Sequence, residues 1–319
     1  MKQRILVLGA NGFIGGEVVT GLASSGWATP ILGVRGPLAR GDQFEQRIVE
    51  ASAVDSVAAA MRDVTGVVNC VAGDAQTIVA GAKALFEAAA RVTPAPRVMH
   101  LSTMSVYGSA DGLIDETAPL RGDLGPYSEA KVAAEAAASA YPRTVIFRPG
   151  CVFGPGSEQW TIRIARLLLA HRLGDLGAAG DGFCNLVHVG DVVAAILRAL
   201  NEPGADGRAF NLSIPQPPTW NEFLVKYAMA LDAVPVRRIS QRRLRMEEKL
   251  LAPPLKIAEI LGRIAKLDAR RLPPLIPPSL IRSMRQEIRL DPGRAQAELG
   301  LHWKGLEWML DEGARWFLG

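Results

Sequence analysis

Ile5-Leu6-Val7-Leu8-Gly9-Ala10-Asn11-Gly12-Phe13-Ile14-Gly15 is the stretch that decides the fold. Its four apolar residues read as a short strand buried on both faces, and a glycine turn follows with no spacer. Val18, Val19, Leu22 and Ala23 then recur at helical spacing. Strand, tight glycine turn and helix, in that order, make a dinucleotide-binding unit. Gly9 permits the turn, Gly12 lets a diphosphate approach the backbone, and Gly15 lets the helix pack close to the strand. Asn11, Phe13 and Ile14 fill the turn between and after them. The free N–H groups and positive dipole end of the helix then face the anion.

Working outward, strand and helix patterns alternate. Ala28 to Val34, Arg47 to Val49, Gly66 to Cys70, Arg97 to Leu101 and Arg143 to Phe147 read as strands. Val54 to Met61, Thr77 to Arg91 and a long Ala-rich segment from Tyr127 read as helices. The alternation predicts an α/β protein with a doubly wound parallel (Rossmann) sheet, whose ligands bind beyond the C-terminal strand ends. Further on, Ile162 to Leu169 and Val192 to Leu200 read as helices, Phe210-Asn211-Leu212 as a late strand, and Thr219 to Glu222 as a capped helix start. With 319 residues, the chain has room for a smaller C-terminal substrate lobe. The expected division is 1–150, mainly the dinucleotide-binding domain, and 151–319, mainly the lobe, with about 184–212 returning to the main domain.

Composition narrows the function classes. Apolar residues make up 49% and charged residues 21%, yet no apolar run reaches the ~18–20 residues of a membrane span. The first strand begins almost at Met1, so the reading is a chain without a signal peptide, in the cytoplasm. Cys70, Cys151 and Cys184 are scattered, as in a reducing compartment, and neither they nor the four histidines show metal-ligand spacing. Net charge is +4, but Pro235 to Leu290 carries 14 Lys/Arg against 5 Asp/Glu. Solvated helix faces account for that better than a docking surface. A nucleic-acid partner is not expected, and membrane contact through this segment is the less favoured reading. Pro253-Pro254 opens a helix pattern with Ile257, Ile260, Leu261, Ile264 and Leu267 on one face, Pro273-Pro274 and Pro277-Pro278 break the chain, and Leu306 to Phe317 closes it as an apolar-faced helix.

Two places speak about chemistry. After the second strand no Asp or Glu occupies Ile31 to Gly36, and Arg35 stands there with Arg40 close behind. A carboxylate at this place would accept from ribose hydroxyls, whereas a guanidinium suits a 2′-phosphate. NADP(H) is therefore favoured, with NAD(H) as the alternative. The small residues Cys70, Val71 and Ala72 let the cofactor lie against the fourth strand end. Tyr127 and Lys131 are four apart on one helix and share a face. Tyrosine titrates near ~10, so it needs a nearby cation to act as a base at neutral pH. Thr103, at the end of the fifth strand, is placed to hold a substrate oxygen, with Ser102 and Ser105 as lesser candidates. His188 sits in a strand setting and reads as structural.

With these residues in view, the chain resembles the extended short-chain dehydrogenase/reductases of the NAD-dependent epimerase/dehydratase kind over nearly its whole length. The matching pieces are Gly9-x-x-Gly12-x-x-Gly15, Leu101 to Gly108, Tyr127 to Lys131, Arg148-Pro149-Gly150 with Val152 to Pro155, Val187-His188-Val189 with Asp191, and Phe210 to Leu212. The resemblance implies that Tyr127 is the acid/base. It implies that Lys131 binds the nicotinamide ribose and tunes Tyr127, and that Thr103 is the catalytic hydroxyl. Pro149, Gly150 and Val152 would flank the nicotinamide, and Ser102 would lie beside it. A homodimer through the helices Thr77 to Arg91 and Tyr127 to Ala140 is a further implication.

The departures bear on substrate. Cys151 stands where sugar-nucleotide members commonly carry Asn, and Cys184 where they carry Arg. Met104-Ser105 replaces the Asp-Glu of 4,6-dehydratases, and Ile78 falls where many members place an Asn. The tail from Pro253 to Arg294, with Asp291 to Ala295 and Leu299-Gly300, is more similar to the steroid-dehydrogenase-like and carbonyl-reductase branches. The expected activity is interconversion of a secondary alcohol and a ketone on a bulky or apolar small molecule. The alternative is a sugar-nucleotide epimerase with the same triad and a tightly bound NAD. A silent dinucleotide sensor is a third reading, disfavoured by the intact triad.

Overall fold

In a computed structural model, residues 2–37, 43–246 and 276–319 are described. Arg40, the helix pattern around Ile257 to Leu267 and the Pro273-Pro274 break lie outside the described residues.

A parallel seven-stranded sheet organises the first of two compact units. Its strands are β1 (Gln3–Leu8), β2 (Ala28–Val34), β3 (Gln46–Ile48), β4 (Gly66–Asn69), β5 (Arg97–Leu101), β7 (Thr144–Pro149) and β10 (Ala209–Leu212). Four short described strands fall outside this sheet: β6 (Gly112–Ile114), β8 (Cys151–Phe153), β9 (Leu186–His188) and β11 (Ile288–Leu290). The order is β10-β7-β5-β4-β1-β2-β3. Ile5, Leu6, Val7 and Leu8 are buried on both faces, as a central parallel strand requires. Leu8 pairs in register with Gly33 on one side and Asn69 on the other. Chain direction across the sheet reverses its winding between β1 and β4, and the glycine turn leaves β1 at that switch.

Helices cover both faces. α2 (Val54–Ala60), α3 (Ala75–Arg91) and α4 (Pro126–Ser139) lie on one, where Val57, Leu85, Phe86 and Ala138 join Leu6, Ile31, Val98 and Ile146 in one core. Ile78 and Ala82 of α3 meet Ala130 and Ala134 of α4. α1 (Phe13–Ser24) and α6 (Val189–Asn201) pack together on the other. α3 starts two residues before the Thr77 that periodicity suggests, because Asp74 caps it by accepting from the Thr77 N–H at 2.8 Å. This unit comprises Met1–Gly150, Val187–Pro215 and Leu290–Trp303.

The second unit comprises Cys151–Leu186, Gln216–Arg289 and Lys304–Gly319. Its described core is aromatic: Phe153, Phe223 and Tyr227 stack or meet edge to face at 5.2–6.1 Å, and Trp160 lies over Trp220. α5 (Arg163–Leu169) follows a π turn at Glu158–Ile162, so the helix begins one residue later than its apolar pattern suggests. Thr219 and Glu222 form the expected capping box on α7 (Trp220–Ala230). The last helix, Leu306–Leu318, packs on α7, and Gly313 admits the Phe153 ring so closely that a Cβ would stand 2.6 Å from it.

Arg97 ties β5 to the end of α6. It is buried and donates to the Ala199 and Leu200 carbonyls at 2.7 and 2.8 Å, to the Glu202 carbonyl at 2.8 Å and to Asp206 at 2.8 Å. The guanidinium thus neutralises the negative end of the helix dipole. Arg97→Met is expected to cost about 3 kcal/mol of stability, because the carbonyls and Asp206 lose their donor. Thermal unfolding should show the midpoint lowered by several degrees with the fold retained.

Candidate active site

Three groups of residues meet at the C-terminal edge of the sheet in the first unit. The first is the glycine turn. Gly9 has φ +77°, and a Cβ there would lie 2.9 Å from the Cys70 carbonyl oxygen at the end of β4. A Cβ on Gly15 would lie 2.2 Å from the Gly9 carbonyl oxygen. Only hydrogen at these positions allows the turn, the β4 end and the first turn of α1 to close together. Gly12 is the N-cap of α1 and supplies no side-chain cap, so the first N–H groups of the helix lack a side-chain acceptor. Asn11 is exposed, and Phe13 and Ile14 are half-buried at the same rim. This cradle fits a dinucleotide diphosphate: it is bare backbone, positively polarised and free of side-chain filling.

The second group lies at the end of β4. Asn69 receives the Val71 N–H at 3.2 Å through Oδ1, which leaves its amide NH2 facing His100 Nδ1 at 3.1 Å. That imidazole nitrogen therefore accepts, and the ring proton sits on Nε2, which has no partner among the described residues. Burial, with a smaller push from the Lys131 ammonium, takes His100 from 6.5 down to about 3. Burial also raises the Cys70 thiol to about 12. Cys70 is thus a small neutral wall rather than a nucleophile.

The third group joins β5 to α4. Lys131 is 5% exposed and donates from Nζ to the Leu101 carbonyl at 2.9 Å. Burial lowers its ammonium from 10.5 to about 8, opposed by Glu135 and then Cys70. Thr103 follows β5 and caps a short 3-10 turn, accepting the Ser105 N–H at 3.2 Å, with the Ser105 hydroxyl 3.3 Å from its own. Ser128 donates to the Ser105 carbonyl at 2.6 Å, which fastens this turn to the start of α4. Tyr127, one turn before Lys131, is 48% exposed. Desolvation raises its phenol above the ordinary value, and a hydrogen bond with the Thr103 hydroxyl lowers it. The structure thereby brings Thr103, Tyr127 and Lys131 to one place. Lys131 is turned toward the Leu101 carbonyl, and Thr103 is the hydroxyl that acts on the phenol.

Ser102 is a less available hydroxyl than its position suggests, since Oγ donates to the Glu135 carboxylate. Glu135 is the residue that sequence reasoning missed. Its signal was legible: a lone carboxylate in the alanine run of α4, four residues beyond Lys131. Arg148 grips it through three contacts of 2.7–3.1 Å. The same Arg148 donates to the Tyr107 hydroxyl at 2.9 Å, which donates to Asn211 at 2.7 Å. The Asn211 N–H is received by Glu116 at 2.7 Å, and Glu116 lies 3.4 Å from Arg294. Tyr107, Arg148 and Asn211, which stand out in the sequence as motif residues, therefore form one buried polar web under the strand ends, with the half-buried Arg294 at its edge. Burial raises the Tyr107 phenol to about 12, against the pull of Arg148, so it stays a neutral link.

The remaining expected residues are dispersed. Pro149 and Gly150 end β7 in the first unit, while Val152 is buried in β8 of the second. Arg35 is exposed just beyond β2, and its charge is one of the influences that lower Glu50. His188 is buried and caps α6, accepting the Gly190 N–H at 3.0 Å, which matches its structural reading. Cys151 and Cys184 are buried in the second unit, and burial with the neighbouring Cys151 thiol raises Cys184 well above the usual thiol value. No cluster of metal-ligating side chains occurs among the described residues, and none of their helices is long and apolar enough to cross a membrane.

The comparisons agree with the fold. The model of the NAD-dependent epimerase/dehydratase family matches residues 5–213. No curated protein sequence matches the chain. Among solved structures, a UDP-N-acetylglucosamine 4-epimerase from Bacillus cereus superposes with a TM-score of 0.73 at 17% identity, over 100% of both chains. The human epimerase family protein SDR39U1 (isoform 2) with NADPH gives 0.72 at 20% identity, over 98% of this chain and 99% of that one. MoeE5 in complex with UDP-glucose and NAD gives 0.70 at 22%, over 98% of each. The chain belongs to the NAD-dependent epimerase/dehydratase family. It is an enzyme of the extended short-chain dehydrogenase/reductase type, and its cofactor is a nicotinamide dinucleotide.

The buried neutral His100 makes a pH prediction. As pH falls below 6.5, the unfolded chain takes up a proton at this residue, and the folded chain does so only near 3. Stability from this group is thus lost between those values. Unfolding midpoints measured across that window should fall less steeply with acid in His100→Gln than in the wild type, by up to one proton's worth.

Proposed function

We propose that the protein is an NADP(H)-dependent oxidoreductase that interconverts a secondary alcohol and a ketone on a bulky or apolar, non-nucleotide small molecule. The observation that carries the reaction type is the meeting of Thr103, Tyr127 and Lys131 beside the bare glycine turn. A nicotinamide bound there supplies or takes up the hydride. Tyr127 gives the proton to the substrate oxygen during reduction and removes it during oxidation. Thr103 donates a hydrogen bond to that oxygen and holds it against the phenol. The Lys131 ammonium, held by the Leu101 carbonyl, binds the ribose and adds positive potential beside the phenolate. Gly9, Asn11, Gly12, Phe13, Ile14 and Gly15 hold the diphosphate. Cys70, Val71, Ala72 and the Ser102 backbone give the dinucleotide a low wall, and Pro149, Gly150 and Val152 flank the ring.

The substrate class rests on the two cysteines. Where sugar-nucleotide members commonly place Asn and Arg, Cys151 and Cys184 are buried thiols, and Cys184 is held neutral by burial. Neither can clamp a diphosphate, which loses a charge-assisted and often bidentate contact. The steroid-dehydrogenase-like tail supports the same class. NADP(H) preference rests on Arg35 and the absence of a carboxylate between Ile31 and Gly36. The proposed partners are the small substrate and a second copy of the chain, through α3 and α4.

A second reading, a sugar-nucleotide 4-epimerase with tightly held NAD, is favoured by the likeness to structures that hold UDP-sugars. Purified protein should be screened with ketones and UDP-sugars while NADPH absorbance and products are followed. Net NADPH consumption with a ketone is the expected result, and it should fall at least about 10³-fold in Tyr127→Phe. Inversion of a UDP-sugar with no net absorbance change would replace the first reading by the second. NADPH should bind at least about tenfold more tightly than NADH, and Arg35→Ala should erase most of that difference. Equal affinity in the wild type overturns the cofactor assignment.

A further inference from the structure

Helix α4 carries one carboxylate on its buried alanine face. Glu135 is 1% exposed and stands one turn after Lys131, which is 5% exposed. The two side chains hold consecutive residues at the end of β5: Lys131 donates to the Leu101 carbonyl at 2.9 Å, and Glu135 receives the Ser102 hydroxyl. The next residue is Thr103. The helix is thus fastened to the strand end by a cation and an anion side by side, immediately before the hydroxyl that meets the Tyr127 phenol.

An ammonium this dry loses its proton readily unless an anion stands near it. Among the described residues, the titratable groups that interact with Lys131 are Glu135 from its own helix, Cys70 from the end of β4 and His100 from β5. Cys70 and His100 are both held neutral at physiological pH by burial, so Glu135 is the one acidic counter-group among the described residues. Arg148, on β7, faces Glu135 rather than Lys131 and grips the carboxylate by three contacts.

We propose that Glu135 is a positioning residue that keeps the Lys131 ammonium charged in its dry setting and pins the strand end that carries Thr103. Its own contacts are with Ser102 and Arg148. Its effect on turnover rests on the proposed roles of Lys131 and Thr103, but its effect on the lysine does not.

Glu135→Gln keeps the shape and loses the charge, and it strands Arg148 unpaired. The companion Glu135→Gln/Arg148→Met removes both charges and keeps the fold testable. The measurement is the pH titration of the Lys131 amine by 15N NMR in lysine-labelled protein without added dinucleotide, assigned by the signal lost in Lys131→Met. The wild-type midpoint is expected at about 8. In whichever of the two variants folds, it should fall by at least about one pH unit, a tenfold rise in neutral over charged amine at fixed pH. The pH above which NADPH binding weakens should fall by the same amount, and Glu135→Asp should restore both. An unchanged midpoint in a folded variant overturns the proposal, and so does a binding loss that is uniform across pH. A shifted midpoint in a protein that reduces no ketone upholds the role of Glu135 and rejects the proposed activity instead.

Discussion

A carboxylate inside an alanine-lined helix face is the constraint on which the candidate site rests. A carboxylate so placed needs partners, because transfer of a lone charged carboxylate into a dry interior costs several kcal/mol even after relaxation. Arg148 is one, from β7, and Ser102 adds a donor from β5. The pair therefore fixes α4 against two neighbouring strands at once. Lys131 and Tyr127 inherit their position from that docking, since they lie one and two turns earlier on the same helix.

The polar web extends well beyond the pair. Arg148, Tyr107, Asn211, Glu116 and Arg294 link β7, the turn after β5, β10 and the late helix Gly293–Leu299. Apolar residues of equal volume would give comparable stability, because buried ion pairs gain little over well-packed hydrophobes. What the web adds is directional restraint. Each partner has one geometry that satisfies all its hydrogen bonds, and an incorrectly seated strand end would leave several charges unpaired. The proposed site, with a hydroxyl, a phenol and an ammonium around one substrate atom, depends on such restraint.

The dinucleotide cradle is governed by close approach rather than charge. Gly15 and Gly9 are compulsory because a methyl group would overlap backbone atoms at 2.2 and 2.9 Å. This end of the sheet is thus built from absent side chains, while the neighbouring catalytic end is built from buried charged ones. The two lie at adjacent strand tips because the winding reverses between β1 and β4, opening a crevice where the helices diverge.

The sequence alone determined the parallel sheet, the glycine turn and the Thr103, Tyr127 and Lys131 candidates. These follow from local rules: apolar runs, helical periodicity and fixed spacing act over a few residues and survive without tertiary context. It also marked Tyr107, Arg148 and Asn211 as unusual, without their purpose. Only the tertiary structure decided that these three are members of a buried network, that Ser102 is committed to Glu135, and that Lys131 is held by the Leu101 carbonyl. The reason is that burial and partner identity depend on residues 13 to 104 positions apart, a distance over which sequence patterns carry no geometry. A lone glutamate among alanines is an exposed charge or a buried anchor according to which strand the helix lands on, and that is settled when the chain folds.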